Sequence, residues 1–138
     1  MLVKNPKLAI IVPYRDREEH LSRFVLHMEE FLSDKGIDYK IFVIEQSDER
    51  PFNRGWLLNV GFKIAEEQGY DYFCFHDIDM LPEDDSCDYS WVDRPTHLAS
   101  RLSKFNYKLI YPETLQLVST GIIKVTFPEP RQGFVSVT

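Results

Sequence analysis

A chain of 138 residues with 43% apolar and 28% charged side chains is long enough for one domain with its own core, and too apolar to stay disordered. The formal net charge of −6 leaves no overall basic footprint for nucleic acid. No apolar run approaches a membrane span or a signal-peptide core, so the sequence as it stands reads as soluble and cytoplasmic. Its two cysteines, Cys74 in an apolar run and Cys87 in an acidic loop, do not form a disulfide framework.

Leu8-Ala9-Ile10-Ile11-Val12 is a continuous apolar run, the pattern of a strand buried on both faces. A turn follows, Pro13-Tyr14-Arg15-Asp16-Arg17, carrying an aromatic ring and two guanidinium groups. Asp16 is placed to cap the next helix, with Glu19 completing an acidic capping box. Leu21, Phe24, Val25, Met28, Phe31 and Leu32 recur at three- and four-residue spacing along one face, and Gly36 closes the helix. His20 and His27 are expected at its surface or edge rather than as ligands. Tyr39 to Ile44 reads as a second strand with Ile41, Phe42, Val43 and Ile44 as its core, followed by a polar loop from Glu45 to Arg50. After Pro51, Phe52-Asn53-Arg54 leads into a second helix that runs to Gln68 and closes at Gly69. Its expected buried stripe is Leu57, Val60, Gly61, Ile64 and Ala65.

The third strand, from Tyr72, ends in His76-Asp77-Ile78-Asp79. Read as extended chain, it points Asp77 and Asp79 to the same side at the lip of the sheet. Two like charges there need a positive partner, and hard carboxylate oxygens suit Mg²⁺ or Mn²⁺, with phosphate and water filling the other positions. By itself Asp-x-Asp also occurs in solvated turns, as expected for Asp84, Asp85 and Asp88 downstream. Beyond Pro82, Tyr89 and Trp91 lie in an acidic loop read as packed, with a sugar-stacking platform as the alternative. His97 to Ser100 and Tyr107 to Tyr111 read as short strands, with Leu115 to Val118 and Ile122 to Phe127 as two more and a turn or tail after them.

Strand, helix, strand, helix, strand with short connections gives a parallel sheet in three layers. Ligands of such folds lie beyond the carboxyl ends of the strands, where Tyr14, Arg15, Arg17, Asp77 and Asp79 emerge. No Gly-x-Gly-x-x-Gly or phosphate-binding Gly loop follows the first strand, which argues against a dinucleotide fold and a P-loop enzyme. Two acids for a metal, arginines for phosphate oxygens and aromatics for a flat ring suit a nucleoside diphosphate, above all a nucleotide sugar. Each arginine also has a mundane alternative as an ion-pair partner of Glu18 or Glu49.

Three ordered blocks carry a resemblance. They are Val12-Pro13-Tyr14-Arg15-Asp16-Arg17-Glu18-Glu19-His20-Leu21, Phe52-Asn53-Arg54-Gly55-Trp56-Leu57-Leu58-Asn59-Val60-Gly61-Phe62 and Phe75-His76-Asp77-Ile78-Asp79-Met80-Leu81-Pro82. Together they resemble the N-terminal, donor-binding half of the β-1,4-galactosyltransferase family, nearest its xylosylprotein-type and microbial branches, over residues 8–111. The resemblance implies a GT-A (Rossmann-like) α/β fold, a UDP-sugar donor, Mn²⁺, a glycan or glycoside acceptor, and hexose transfer, of galactose first of all, with inversion. It implies that Pro13, Tyr14, Arg15 and Arg17 surround the uridine and phosphates, and that Phe52 and Arg54 pack and clamp beside them. Asp77 and Ile78 would lie against the nucleotide sugar, Asp77 on the ribose side, with Asp79 on the metal.

The family's Trp- and Gly-rich acidic block, with its proposed base and its later His and Met-type metal ligands, has no counterpart in the chain, so no catalytic residue is assigned. From Leu115 the sequence departs from the family, and residues 115–138 read as a divergent tail on a single domain truncated at its C-terminus. As a fragment of a longer eukaryotic enzyme, the chain would belong in the Golgi lumen. The alternative is a catalytically incomplete nucleotide-sugar-binding module. An Asp-x-Asp phosphatase ranks lower, because its aspartates would follow the first strand.

Overall fold

Apolar residues without alternation require cover on both faces of a strand, and the chain supplies it with one helix per face. The computed structural model describes residues 5–83, 87–91, 96–98 and 122–125. Its elements are β1 (Lys7–Tyr14), α1 (Glu18–Leu32), β2 (Asp38–Glu45), α2 (Arg54–Glu67), β3 (Tyr72–His76), β4 (Thr96–His97) and β5 (Ile122–Val125). Leu8, Ile10, Val12 and Tyr14 of β1 pack on Phe24, Met28 and Leu32 of α1, while Ala9 and Ile11 pack on Phe62 and Ala65 of α2. The expected three layers are present.

The strand order is β2-β1-β3-β5-β4. β1 pairs in parallel with β2 and β3, as the alternation of strands and helices predicts, but β5 runs antiparallel to both β3 and β4. The sheet is therefore mixed rather than wholly parallel. Ile122–Val125, within the stretch read as a tail, pairs along β3 and separates it from β4. The expected strand at 97–100 is a two-residue strand at Thr96–His97, and its partner is β5. The strands expected at 107–111 and 115–118 lie outside the described residues.

Several local expectations are corrected. Asp16 does not cap α1: it takes a left-handed φ of 51°, and Arg17 occupies the cap position with no side-chain hydrogen bond. Leaving a strand for a helix within three residues uses up Asp16 in the bend, so the acids of the first turn, Glu18 and Glu19, serve the helix dipole instead. On β2 only Phe42 is buried, and Val43 is 37% exposed, because β2 is an edge strand rather than an interior one. On α2 the buried residues are Leu57, Gly61, Phe62 and Ala65, while Ile64 faces outward.

Gly61 is where α2 lies against the sheet. A Cβ there would sit 2.4 Å from Ile11 Cγ2 and 3.0 Å from Ile44 Cγ1. Gly61→Ala is expected to destabilise the fold by about 1–3 kcal/mol through overpacking, less about 1 kcal/mol returned by helix propensity. Urea unfolding checks this, and an unchanged midpoint would show that the two isoleucines yield.

Candidate functional site

A proline opens the site. The β1·β2 ladder runs to Tyr14 opposite Glu45, but the β1·β3 ladder stops at Ile11 opposite Phe75. The Tyr14 carbonyl accepts from Gln46 N at 3.0 Å on the β2 side. Successive peptide groups face opposite edges of a strand, so the missing N–H of Pro13 faces β3, and pairing there ends early. A crevice of about 320 Å³ lies between the two strand ends. Pro13, Arg15 and Arg17 line it from the end of β1, Phe52 and Arg54 from the start of α2, and Asp77, Ile78 and Asp79 from the turn after β3. Tyr14 is the expected residue that does not: it is 8% exposed and belongs to the core beneath α1. Because Tyr14 is still in β1, its side chain follows the alternation of Leu8, Ile10 and Val12 into that core.

Asp77 and Asp79 reach the crevice by a different route from the expected one. β3 ends at His76, and Met80 N donates to the Asp77 carbonyl at 3.3 Å, closing a β-turn over Ile78 and Asp79. The acids converge because the chain turns, not because a strand alternates. Ile78, 7% exposed, anchors the turn in the core, while Asp79 is exposed.

The arginines divide into distinct roles. Arg54 Nε donates to Asp77 Oδ1 at 2.7 Å, with both side chains a little over one-fifth exposed. Its Nη2 is buried with no partner among the described residues. Arg15 Nη1 donates to the carbonyls of Asp48 at 3.1 Å and Arg50 at 2.6 Å, and its guanidinium lies 5.5 Å from the Phe52 ring centre. Arg15 thus braces the loop that presents Phe52. Arg17 is exposed at the crevice and forms no ion pair among the described residues. Glu18 and Glu49, the alternative partners, pair with none of the three among the described residues.

Gln46, read from the sequence only as part of a polar loop, is the keystone of that loop. It is 8% exposed, and its Nε2 donates to Asp48 Oδ1 and to the carbonyls of Arg50 and Pro51. Its Oε1 accepts from Asn53 N at 2.8 Å. Asn53 in turn caps α2, its side chain accepting from Trp56 N at 3.0 Å. The amide hydrogen bond from Gln46 also holds the Asp48 carboxyl below the usual range.

His76 was also missed, since a histidine before two acids gives no sign of its partners. It is fully buried, and burial pushes its pKa from 6.5 down to about 4, against the opposing pull of the Asp77 carbonyl and the Asp77 and Asp79 charges. The ring is therefore neutral. Nδ1 lies 2.8 Å from the Asp77 carbonyl, which can only accept, so Nδ1 carries the proton and Nε2 accepts from the Tyr89 hydroxyl, also at 2.8 Å. Tyr89 is 1% exposed, its phenol pushed up by burial, and the Tyr72 hydroxyl donates to its carbonyl at 2.7 Å. Trp91 meets Tyr72 edge to face. Of the two readings of this loop, the packed one describes Tyr89. His27 is at the helix edge as expected, and its Nε2 donates to the Pro82 carbonyl at 2.6 Å.

The family match spans all three blocks. The N-terminal region of glycosyl transferase group 7 matches residues 3–91. Similar proteins include β-1,4-galactosyltransferase 6 of Rattus norvegicus, 43% identical over 108 residues, and β-1,4-galactosyltransferase 1 of Bos taurus, 41% identical over 106. The matches cover 78% and 76% of this chain but 28% and 26% of those proteins, so the chain spans little more than a quarter of their length. Among solved structures, the catalytic domain of Drosophila β1,4-galactosyltransferase 7 with xylobiose superimposes with a TM-score of 0.72 at 38% identity. A variant of that enzyme holding manganese, UDP-Gal and xylobiose gives the same values, and both alignments cover 88% of this chain and 49% of theirs. A glycosyltransferase involved in glycosylation of the PBCV-1 major capsid, 18% identical with a TM-score of 0.51, bears on the fold alone. The fold shared with these structures is the GT-A fold that the resemblance implies.

Proposed function

The chain belongs to the β-1,4-galactosyltransferase family, carrying the N-terminal region of glycosyl transferase group 7, and from that membership we propose that its crevice binds a UDP-sugar together with a divalent metal. The observation that carries the reading is Arg54. One edge of its guanidinium is fixed on Asp77, while the buried Nη2 has no partner among the described residues. A buried donor left unpaired costs about 1–3 kcal/mol, and a phosphate oxygen in the crevice would satisfy it. Arg17 adds a second positive group at the rim, and Phe52, braced by Arg15, offers a flat face 44% exposed.

The donor set also suits Mn²⁺. Asp79 is exposed and forms no hydrogen bond or ion pair among the described residues, while Asp77 is committed to Arg54. No group of three His, Cys, Asp or Glu side chains converges among those residues. One carboxylate with phosphate oxygens and water is an ordinary ligand set for such an ion, and Asp79 would hold it. When bound, the metal neutralises charge on the diphosphate as the sugar bond breaks. Arg54 and Arg17 hold the phosphates, Asp77 keeps the Arg54 fork oriented, and Phe52 covers the uracil.

We propose that the protein serves the inverting transfer of a hexose, galactose first, from a UDP-sugar to a glycan or glycoside acceptor, with this chain as its donor-binding part. Titration calorimetry of the chain with UDP tests the binding reading: saturable uptake that requires Mn²⁺ is expected, and heat without saturation would sink it. A catalytically incomplete nucleotide-sugar-binding module is the second reading, favoured by a crevice whose lining among the described residues consists of groups that bind rather than of an assigned base. Incubation with UDP-galactose, Mn²⁺ and a xyloside or N-acetylglucosamine acceptor separates the two, since galactoside formation excludes a module that only binds. Arg54→Lys should weaken UDP binding by roughly tenfold, as an ammonium cannot serve Asp77 and a phosphate with the geometry of a planar fork. Equal affinity in the variant would show that Nη2 meets no phosphate.

A further inference from the structure

We infer that His76 and Tyr89 are positioning residues for the Asp77–Met80 turn, joining the acid pair through a buried chain of hydrogen bonds to the loop around Tyr89; the inference rests on the nucleotide-metal reading of that turn. The Asp77 carbonyl accepts twice, from His76 Nδ1 at 2.8 Å and from Met80 N at 3.3 Å. The second of these bonds closes the turn that carries Asp79. A carbonyl has two lone pairs, and both are engaged, so its direction sets the turn's direction. The imidazole that fixes it is itself fixed: Tyr89 donates to Nε2 at 2.8 Å, and the Phe24 ring meets the imidazole edge to face at 4.9 Å. Tyr89 is held in turn by the Tyr72 hydroxyl on its carbonyl at 2.7 Å. The His76, Tyr89 and Tyr72 side chains are buried and each is hydrogen-bonded, which favours a single geometry at the half-buried turn they hold. Beyond the turn, His27 holds the Pro82 carbonyl at 2.6 Å, so α1 secures the chain on the far side of Asp79.

Neither His76 nor Tyr89 lines the crevice, so both act through the turn. Partners that orient a metal ligand typically change metal affinity by roughly 10- to 100-fold when removed. Tyr89→Phe deletes one oxygen and keeps the ring. Two readouts separate positioning from mere support: amide hydrogen exchange at Met80 against the amides of β1, and the affinity for UDP with Mn²⁺. Faster exchange at Met80 with β1 unchanged, and affinity down by roughly 10- to 100-fold, is the expected result. His76→Asn, whose side-chain amide can reach the Asp77 carbonyl from the Nδ1 position but which loses the Tyr89 bond, should loosen Met80 about as Tyr89→Phe does. His76→Gln, placed to meet Tyr89 instead of the carbonyl, should loosen it further. Unchanged Met80 exchange in Tyr89→Phe overturns the inference, and so does equal loosening of Met80 and β1, which would mark a purely structural bond. If the unaltered chain takes up no UDP with Mn²⁺, the nucleotide reading fails, while the Met80 exchange still decides whether His76 and Tyr89 hold the turn.

Discussion

Asp79→Ala is expected to abolish Mn²⁺-dependent binding of UDP, with affinity reduced by at least roughly 100-fold and the fold unchanged. The asymmetry follows from where the carboxylate sits. Asp79 is exposed at the third position of its turn and makes no hydrogen bond among the described residues, so removing it takes no internal partner away. It also relieves repulsion from Asp77 on the same crevice wall. A small divalent ion held by one carboxylate among the described residues and by the ligand's own phosphates loses that anchor, and the diphosphate then faces Arg54 and Arg17 without the ion. Asp88→Ala is the control, since that carboxylate accepts from Ser90 N and does not line the crevice. The measurements are UDP titrations with Mn²⁺ and with EDTA, beside thermal unfolding of each variant. A curve for Asp79→Ala that superimposes on the unaltered chain would remove Asp79 from the metal. A large fall in melting temperature would instead give the residue a structural role.

How far the sequence disclosed the site depended on whether each cue was local. The run from Leu8 to Val12, the stripe of α1 and the Gly69 stop of α2 are decided within a few residues, and the three-layer core follows from the first two. Partners at a distance are not written in spacing. Nothing near Arg54 in the chain names Asp77, 23 residues on, as the carboxylate it holds, and nothing near Arg15 names the carbonyls of Asp48 and Arg50. Tyr14 misled because an aromatic after a proline suggests a turn, whereas pairing with Glu45 carries β1 through it and turns the ring inward. Gln46 and His76 share a subtler reason. Both are buried polar groups whose importance lies in holding several partners at once, the Arg50 and Pro51 carbonyls and Asn53 N for Gln46, the Asp77 carbonyl and the Tyr89 hydroxyl for His76, and a single polar letter between apolar and acidic neighbours does not count those partners. The antiparallel β5 lay beyond the alternating pattern, where four short apolar segments offered no rule for choosing which joins the sheet.

Acidification should cost the fold on the order of 3 kcal/mol through His76 alone. Its folded pKa is about 4 and its ordinary value 6.5, so between those limits the unfolded chain binds a proton that the folded chain refuses. Stability therefore rises with pH across this window. The contribution is complete above about pH 6.5, is lost as pH falls toward 4, and changes no further below that. The cause is desolvation of the charged ring beside Phe24 and Tyr89, neither of which titrates in the window, and the Asp77 and Asp79 charges offset it only in part. Against a typical domain stability of about 5–15 kcal/mol the loss is large. Urea unfolding between pH 7 and pH 4, in EDTA and without nucleotide, measures it together with every carboxylate that titrates there. His76→Gln isolates the histidine, because the variant keeps the surrounding acids. Its stability should vary with pH less than that of the unaltered chain by about this amount, on the order of 3 kcal/mol. Identical pH profiles would mean that the imidazole is solvated enough to accept its proton in the folded state, and the lone pair on Nε2 that accepts from the Tyr89 hydroxyl would be lost below pH 6.5.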